Sequence, residues 1–464
     1  MRHAIFESLH ADNKNLFFDD GAINRTWSDA YFSFLNIQED FKRKGISPTD
    51  LVVIDSNKNF ETYVIIMSCY LLGVTFSPTN IDANFEEDFG SCGLSVKAFY
   101  SSDINKVKLY NAVNPIPSDI QAKNILPFHS VNHEENSLAY IMRSSGSTGK
   151  PKVIPISRAN LQSYINNIER VTRFTQGSRF SQVADLTFDL SIHDIFLCIR
   201  FGGTLVPFQA SLAGFASRFF QTLGINNIMC VPSFLNAICE AREVHLQVEN
   251  VFLLGEALPK KTAANSLRLF PNAQCFNLYG PTEATVAASY YNFTNTPLED
   301  CIVSIGIPFE TMHFTLSNDN ELLIAGDQVF EGYFSECEKP FVNLDNVKYY
   351  KTGDICQAVR GTYHFKSRID FQIKYRGYRV ELEGIEAIFS NLYDGDYCAL
   401  GFDECAAGNF MKLAVFYTNK NITTEQLANS LPKHLASIQF IPTDNIIRNT
   451  SGKVDRKAMN KLLA

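Results

Sequence analysis

The chain has 464 residues, of which 45% are hydrophobic and 19% charged, and its formal net charge is −8 at pH 7. This composition is ordinary for a globular protein, and the length exceeds that of one hydrophobic core, so at least two domains are expected. The net negative charge argues against a nucleic-acid-binding protein, which would be expected to carry a basic surface.

The 11 cysteines are scattered and include no C-x-x-C pair. This argues against a disulfide framework and against a zinc site, so most are expected to be small buried residues in a reducing compartment. Polar residues interrupt positions 1–13, and the longest apolar stretch, about 63–76, is shorter than the ~18 residues of a spanning helix. We therefore expect a cytoplasmic protein with no membrane insertion, and a buried helix followed by a strand in that stretch.

Strand-like and helical stretches alternate along the chain, which is typical of α/β layers with mainly parallel sheets. The strand-like runs include Leu51–Asp55, Gly203–Pro207, Asn227–Val231 and Val251–Leu254. Ser157–Thr172 and Phe215–Leu223 are predicted to be helices.

The stretch Leu138–Ile156, LAYIMRSSGSTGKPKVIPI, is a candidate phosphate-binding loop. Small residues let backbone N–H groups surround a polyphosphate, and lysines supply positive charge nearby. It is not a Walker A loop, because Pro151 follows Lys150, and the Rossmann glycine pattern is missing. A Ser/Gly-rich stretch alone is more often a turn, so the rest of the chain must decide.

Four further motifs follow in order, and the last three are rich in charged residues. They are Asn277–Glu283 (NLYGPTE), Tyr350–Asp354 (YKTGD), Ser367–Glu381 (SRIDFQIKYRGYRVE) and Asn449–Lys457 (NTSGKVDRK). Together with the loop, their order and spacing resemble the ATP-dependent adenylate-forming enzymes, which include amino-acid adenylation domains, acyl-CoA synthetases and luciferases. The resemblance covers nearly the whole chain.

The resemblance implies two domains of different size. A large N-terminal domain, residues 1–369, would consist of layered, mainly parallel sheets and helices. A small, mobile C-terminal α+β domain, residues 370–464, would carry the catalytic lysine, with Asp370 as the hinge residue.

The resemblance also implies ATP and Mg²⁺ and assigns catalytic roles to three residues. Joining a carboxylate to AMP brings two anions together, so their charges must be neutralised. Lys453 would stabilise the transition state, Thr282 would donate to a phosphate, and Glu283 would act through magnesium. The residues assigned to ATP binding are Ser144, Ser145, Gly146, Ser147, Thr148, Gly149, Lys150, Asn277, Leu278, Tyr279, Gly280, Pro281, Asp354, Phe365 and Arg368.

Asp189 is the candidate ligand of a substrate amine. It matches the aspartate that amino-acid-adenylating members provide for the α-ammonium, and a buried cation requires such a partner. His193 would lie one turn further along a helix on the same face, as a wall of the pocket. Consecutive residues cannot converge as a hydrolase triad does, so Ser191, His193 and Asp194 do not form one. The assigned substrate residues are Asp189, His193, Cys230, Leu254, Val286 and Lys453, with Leu190, Phe252, Leu278 and Ala287 as further wall positions.

Within the family, the chain is most similar to D-alanine–carrier protein ligases. Those ligases have smaller residues where this chain has Leu254 and Leu278. One methylene too many costs about 1–3 kcal/mol of discrimination. The resemblance therefore implies a pocket smaller than one for D-alanine, and glycine is the expected substrate, as in a glycine–carrier protein ligase of lipid A modification.

The acceptor of the activated amino acid is expected to be the phosphopantetheine thiol of a separate carrier protein. Gly377, in the Arg376–Tyr378 loop, would let the backbone approach that slim arm. Two alternatives remain open. They are an acyl-CoA synthetase acting on a small carboxylic acid, in which Asp189 is structural, and a non-catalytic AMP-binding module.

Overall fold

The computed structural model describes residues 5–463 except 6, 83–84, 111, 118–136, 145–151, 210–213, 240–243, 297, 299–301, 335–339, 370–371, 376–377, 403–411, 432–434, 436–437 and 449–453. The chain divides into two compact units. One comprises Met1–Arg143 and Val153–Lys366, and the other Ser144–Lys152 and Ser367–Ala464. The predicted domain boundary between residues 369 and 370 stays a prediction.

Strands and helices alternate through most of the first 368 residues. The strands are β1 (Leu16–Asp19), β2 (Asn24–Thr26), β3 (Leu51–Asp55), β4 (Thr75–Thr79), β5 (Val96–Ser101), β6 (Val113–Pro115), β7 (Leu138–Ser144), β8 (Lys152–Ser157), β9 (Arg179–Gln182), β10 (Thr204–Pro207), β11 (Asn227–Cys230), β12 (Asn250–Leu253), β13 (Gln274–Tyr279), β14 (Ser289–Asn292), β15 (Ile307–Pro308), β16 (Met312–Leu316), β17 (Glu321–Gly326), β18 (Phe341–Leu344), β19 (Val347–Val359) and β20 (Thr362–Arg368). The helices are α1 (Trp27–Lys44), α2 (Phe60–Leu72), α3 (Phe85–Ser91), α4 (Ile104–Leu109), α5 (Arg158–Val171), α6 (Leu190–Phe201), α7 (Ala216–Thr222), α8 (Pro232–Cys239) and α9 (Lys260–Leu269).

Three sheets organise this part of the chain. A six-stranded sheet has the order β6-β5-β3-β4-β7-β8, and a nine-stranded sheet has the order β15-β14-β13-β12-β11-β9-β10-β1-β2. The strands from β13 to β1 in the nine-stranded sheet are parallel, and antiparallel strands lie at both ends. A third sheet, β16-β17-β19-β18 with β20 beside β19, is antiparallel in its described pairings.

The sequence predictions for these elements are confirmed. The predicted strands and helices correspond to β3, β10, β11, β12, α5 and α7. The apolar stretch forms most of α2 and the start of β4, both of them buried. Strands that are buried on both faces consist of continuous apolar residues, so these strands could be recognised in the sequence.

The last hundred residues form smaller elements. They are β21 (Gln372–Tyr375), β22 (Tyr378–Glu381), α10 (Leu382–Leu392), β23 (Tyr397–Phe402), β24 (Lys412–Tyr417), α11 (Thr424–Asn429), β25 (Gln439–Pro442) and α12 (Arg456–Asn460). β21 and β22 pair with each other, and β23, β24 and β25 form a three-stranded sheet. The helix α10 packs on this sheet through Ile385 and Phe389, around a core that includes Val415. The predicted fold class, α/β with a small α+β region at the C-terminal end, is confirmed.

No helix in the described part of the chain is long and apolar enough to cross a membrane. Six of the seven cysteines described as free are buried, as expected for small hydrophobic residues.

The helix α1 begins and ends at residues suited to those positions. The Thr26 hydroxyl accepts from the Asp29 N–H at 3.1 Å, and the Asp29 carboxylate accepts from the Thr26 N–H at 2.7 Å. This capping box satisfies two backbone donors at the helix start. Gly45 ends the helix in the left-handed conformation, with φ 61°.

Removing the Thr26 cap should measurably destabilise the protein. We expect Thr26→Ala to lower the free energy of unfolding by about 1 kcal/mol, because the Asp29 N–H loses its acceptor. Trp27, the only tryptophan, is fully buried beside the cap, so its fluorescence during urea denaturation reports the transition. Thr26→Ser keeps the hydroxyl and serves as the control. Equal midpoints for the Ala and Ser variants would show that the cap contributes nothing.

Candidate active site

The candidate substrate acid, Asp189, lies at the start of α6. It occupies the N-cap position, is only 5% exposed, and makes no side-chain capping bond. His193 follows one turn later on the same helical face and is completely buried. The structure therefore brings these two predicted residues together on one side of the helix.

His193 is held by a tyrosine from another helix. The Tyr164 hydroxyl, on α5, lies 2.6 Å from His193 Nδ1, and the imidazole packs edge-on against Phe252, with ring centroids 4.8 Å apart. Burial lowers the pKa of His193 to about 3, so the ring is neutral at physiological pH. Its Nε2 has no hydrogen-bond partner among the described residues. A neutral ring at this place adds no positive charge that would oppose binding of an ammonium group.

The charge of Asp189 acts on two buried tyrosines. Burial raises the pKa of Tyr140, on β7, and of Tyr164 well above the usual range, and the charge of Asp189 adds to both shifts. The Tyr140 hydroxyl is buried and has no hydrogen-bond partner among the described residues. Tyr140 was missed in the sequence, although it lies within the quoted phosphate-loop motif. Tyr164 could not be recognised as a site residue from the sequence, because a buried tyrosine on a helix is usually a core residue.

Ser191 and Asp194 do not form a triad with His193. The Ser191 hydroxyl donates to the Phe188 carbonyl at 2.7 Å, and the Asp194 carboxyl oxygens have no partner among the described residues. Burial raises the pKa of Asp194 well above its usual range, with an opposing effect from Lys58. The geometry thus excludes the hydrolase arrangement that adjacent Ser, His and Asp residues might suggest.

The predicted wall positions do not all lie on one face of the sheet. Leu254, Leu278 and Val286 are buried in the same hydrophobic cluster as Phe252. Cys230, at the end of β11, packs in a different cluster, because its side chain points to the other face of the strand. Its assignment to the pocket stays a prediction, and it is Met229 of β11 that shares the Phe252 cluster. Sequence reasoning missed Met229, since side-chain direction along a short buried strand cannot be read from an apolar run.

Tyr279 and Asp354, both predicted to contact the nucleotide, meet in the structure. The Tyr279 hydroxyl, at the end of β13, donates to the Asp354 carboxylate at 2.5 Å. Asp354 lies within β19, directly after Gly353, whose φ of 73° and whose N–H bond to Glu321 mark a local irregularity in the strand. The motif therefore lies at an irregularity of the β17–β19 pairing.

Gly280 permits a close backbone approach between β13 and the segment that follows the short helical turn Thr282–Ala284. A Cβ atom at Gly280 would lie 2.7 Å from the Ala287 Cα. Thr285 and Val286 adopt left-handed φ values of 56° and 66°, which are costly for branched residues. The Gln328 side-chain amide donates to three carbonyls of this segment, among them Ala287 O at 2.5 Å. Gln328, unrecognised in the sequence, thus stabilises the strained segment.

Glu283, the candidate magnesium ligand, is completely buried within this turn. Its carboxylate accepts from the Tyr333 hydroxyl at 2.6 Å, and its backbone carbonyl accepts from Phe330 N–H at 2.8 Å. A fixed, buried carboxylate is a suitable ligand for a hard cation that takes its other ligands from phosphates and water. No group of three or more metal-binding side chains occurs in the described part of the chain. The role of Glu283 as a magnesium ligand stays a prediction.

Other predicted nucleotide residues have structural partners or lie on defined strands. The Asn277 side-chain amide donates to the Ser304 carbonyl at 2.8 Å, while its buried Oδ1 has no partner among the described residues. Phe365 and Arg368 lie on β20, and Ser144 ends β7. Pro281 and Thr282 are partly exposed.

Several predicted residues lie outside the described residues. They are the loop residues Ser145, Gly146, Ser147, Thr148, Gly149 and Lys150, the hinge candidate Asp370, the loop glycine Gly377 and the catalytic candidate Lys453.

Comparisons with known proteins agree with this architecture. A sequence profile described as "AMP-binding enzyme" matches residues 94–334. The D-alanine–D-alanyl carrier protein ligase of Listeria monocytogenes serotype 4b (strain CLIP80459) is 32% identical over 361 residues, covering 69% of each protein.

Solved structures share the fold. The Vibrio cholerae adenylation domain AlmE, in complex with glycyl-adenosine-5'-phosphate, has a TM-score of 0.84 and 22% identity, covering 100% of this chain and 97% of its own. Holo-PA1221, a nonribosomal peptide synthetase protein containing adenylation and PCP domains, has a TM-score of 0.83 and 18% identity, covering 99% of this chain and 84% of its own.

The buried, neutral His193 makes a testable contribution to the pH dependence of stability. Its pKa is about 3 in the folded protein against an ordinary value of 6.5, so unfolding takes up a proton between these values. The contribution is fully present above pH 6.5 and is lost as the pH falls. We expect the free energy of unfolding of the wild type, relative to His193→Asn, to fall by about 1.4 kcal/mol per pH unit below about pH 6.

Urea denaturation of both proteins at about pH 7, 6 and 5 would measure this difference. His313→Asn is the matched control, because it removes an exposed histidine and leaves the buried cluster intact. A difference between wild type and His193→Asn that does not change with pH would mean that His193 is not held neutral.

Proposed function

The chain belongs to the AMP-binding enzyme family, and from this premise we propose that it activates a small amino acid with ATP and transfers it to a carrier protein. The observation that carries the proposal is the buried Asp189 carboxylate on the same helical face as a neutral histidine. A carboxylate withdrawn from water is the partner that a buried ammonium group requires. The substrate would therefore carry both a carboxylate, which reacts, and an amine, which is bound.

In the first half-reaction, a carboxylate oxygen of the amino acid attacks the α-phosphorus of ATP, and pyrophosphate leaves. We propose that Lys453 neutralises charge in this transition state and that Thr282 donates to a phosphate oxygen. Glu283 would hold magnesium, which screens the triphosphate charge when bound. The buried Asp354 carboxylate would accept from the ribose hydroxyls, in place of or together with its bond from Tyr279.

We propose glycine as the preferred substrate, with D-alanine next. Leu254 and Leu278 are both almost completely buried in the Phe252 cluster, where additional side-chain volume leaves less room for a substrate methyl group. The V. cholerae structure contains a glycyl adenylate, which supports glycine, whereas the Listeria relative is named for D-alanine. The two differ by one methyl group, so the preference is a matter of pocket volume.

In the second half-reaction, a thiol would attack the carbonyl carbon of the adenylate and release AMP. The Listeria relative acts on a carrier protein by its name, and holo-PA1221 contains adenylation and PCP domains. We therefore propose the phosphopantetheine thiol of a carrier protein as the acceptor, with Gly377 in the loop that admits it.

A panel of small amino acids tests the proposed activity. We expect glycine to support exchange of pyrophosphate into ATP best, D-alanine less well, and L-alanine and serine least, because each added group must fit beside Leu254 and Leu278. Exchange with none of these amino acids, in protein shown to be folded, would contradict the function. Exchange with acetate, together with transfer to coenzyme A, would support the acyl-CoA synthetase alternative, and tight AMP binding without turnover would support the non-catalytic one.

Replacing Asp189 tests the amine-binding role. We expect Asp189→Asn to lower kcat/KM for the amino acid by about 100-fold or more, because a buried ammonium loses its counter-charge. Use of acetate, which lacks the amine, should be no worse than in the wild type. Asp185→Asn is the matched control, since the introduced amide oxygen would still accept from the Thr187 N–H, now bonded to Asp185 at 2.9 Å. An equal loss for the amino acid and for acetate would show that Asp189 is structural.

A further inference from the structure

The residues on both sides of segment 449–453, which contains Lys453, are paired with each other. Arg448 and Val454 form an antiparallel bridge, and the Asp455 N–H donates to the Ile447 carbonyl at 2.8 Å. Arg448 also reaches Asp396 with a 2.8 Å ion pair. Residues 447–448 and residues 454–455 are therefore neighbours in space.

The residues that follow this segment make further contacts besides the bridge. Arg456, three residues after Lys453, donates from Nη2 to the Glu386 carboxylate at 2.7 Å and from Nε to the Ala399 carbonyl at 3.3 Å. The same Glu386 oxygen accepts from the Ala399 N–H at 2.8 Å. The Arg456 and Glu386 side chains are only 9% and 15% exposed. This closed network joins the start of α12 to α10 and β23.

Two further contacts hold α12 in place. The Asp455 carboxylate caps it by accepting from the Ala458 N–H at 2.9 Å. Met459 is completely buried, and its sulfur accepts from the Ile447 N–H at 3.3 Å. Residues 454–459, which follow Lys453 directly, are thus held by backbone and side-chain contacts.

A buried ion pair is weak grounds for inferring stability, because the desolvation of both charges offsets their attraction. Its geometric effect is different, since an arginine that donates to two acceptors, here Glu386 and the Ala399 carbonyl, restricts the position and the direction of the backbone that carries it. Displacement of a catalytic group by about 1 Å can cost about 100-fold in rate.

We propose that the Arg456–Glu386 pair is a positioning device for Lys453, acting through α12 and the Arg448–Val454 bridge. This inference rests on the proposed function, in which Lys453 serves the adenylation step. Arg456 touches neither substrate in this role, and it acts through the lysine. Loss of the pair therefore impairs adenylation and spares the transfer of an adenylate that has already formed.

The two half-reactions separate this role from a general structural one. In Arg456→Met, which keeps the side-chain length and removes the charge, we expect kcat for pyrophosphate exchange with the preferred amino acid to fall by about 100-fold, with KM values within about twofold. Reaction of preformed aminoacyl-adenylate with pantetheine, a small mimic of the carrier arm, should stay within about threefold of the wild-type rate. Glu386→Gln, which keeps an acceptor oxygen, should show a smaller loss in the same direction. It also provides the test if Arg456→Met does not fold.

A double-mutant cycle makes the test sharper. If Arg456 acts only through Lys453, adding Arg456→Met to Lys453→Ala should lower exchange no further than Lys453→Ala alone. Lys420→Met is the matched control, because it breaks an exposed ion pair with Asp444 elsewhere in the same unit and should change neither half-reaction.

Four outcomes would overturn the inference. They are unchanged exchange in both Arg456→Met and Glu386→Gln, an equal loss in both half-reactions, an additive loss in the double variant, and the absence of exchange in the wild type. Only the last would also overturn the proposed function, so the two failures can be distinguished.

Discussion

The desolvation of charge at the start of α6 is the constraint on which the candidate site depends. Asp189 and Asp194 are both buried on this one helix, but their surroundings differ. Asp189 lies at the helix N-terminus, where the helix dipole favours a negative charge. Asp194 lies further along the helix, where burial raises its pKa well above the usual range and favours the neutral acid. The same helix thus provides two different environments. The one at Asp189 suits an anion, and the one at Asp194 suits a neutral group.

The neutral state of His193 belongs to the same electrostatic arrangement. Its hydrogen bond from or to Tyr164 fixes the ring, and burial removes its positive charge throughout the physiological pH range. Lys58, the cation that acts on Asp194, is itself partly desolvated. Burial lowers its pKa to about 8, and its amino group is directed at backbone carbonyls that include Phe208 O at 2.9 Å. In the proposed reaction, the substrate amine would supply the positive charge opposite Asp189.

The proposed nucleotide side of the site depends on the parallel sheet. Strands β11, β12 and β13 run parallel, and their carboxyl ends lead into Leu254 and into the Gly280–Glu283 turn. Ligands of open α/β sheets bind at this edge, because the loops there are free to carry specific side chains. The strained Thr285–Val286 segment persists because Gln328 binds its carbonyls and Gly280 leaves room for it. A rigid turn of this kind can hold Thr282 and Glu283 in fixed positions without help from a ligand.

The sequence alone determined the fold class, the family resemblance and the residue types available for chemistry, because these depend on local composition and on the order of motifs. Tyr279, Glu283 and Asp354 could be named in advance because each lies within such a motif, and Asp189 because it matches the aspartate of amino-acid-adenylating relatives. The partners Tyr164, Gln328 and Tyr333 could not, since each comes from a segment distant in sequence and carries no signal apart from its packing. Only the tertiary structure decided that Tyr279 binds Asp354, that Cys230 and Met229 point to opposite faces of β11, and that Arg456 joins Glu386. The physical reason is that burial and hydrogen bonding act between residues that are neighbours in space, and those neighbours exist only once the chain has folded.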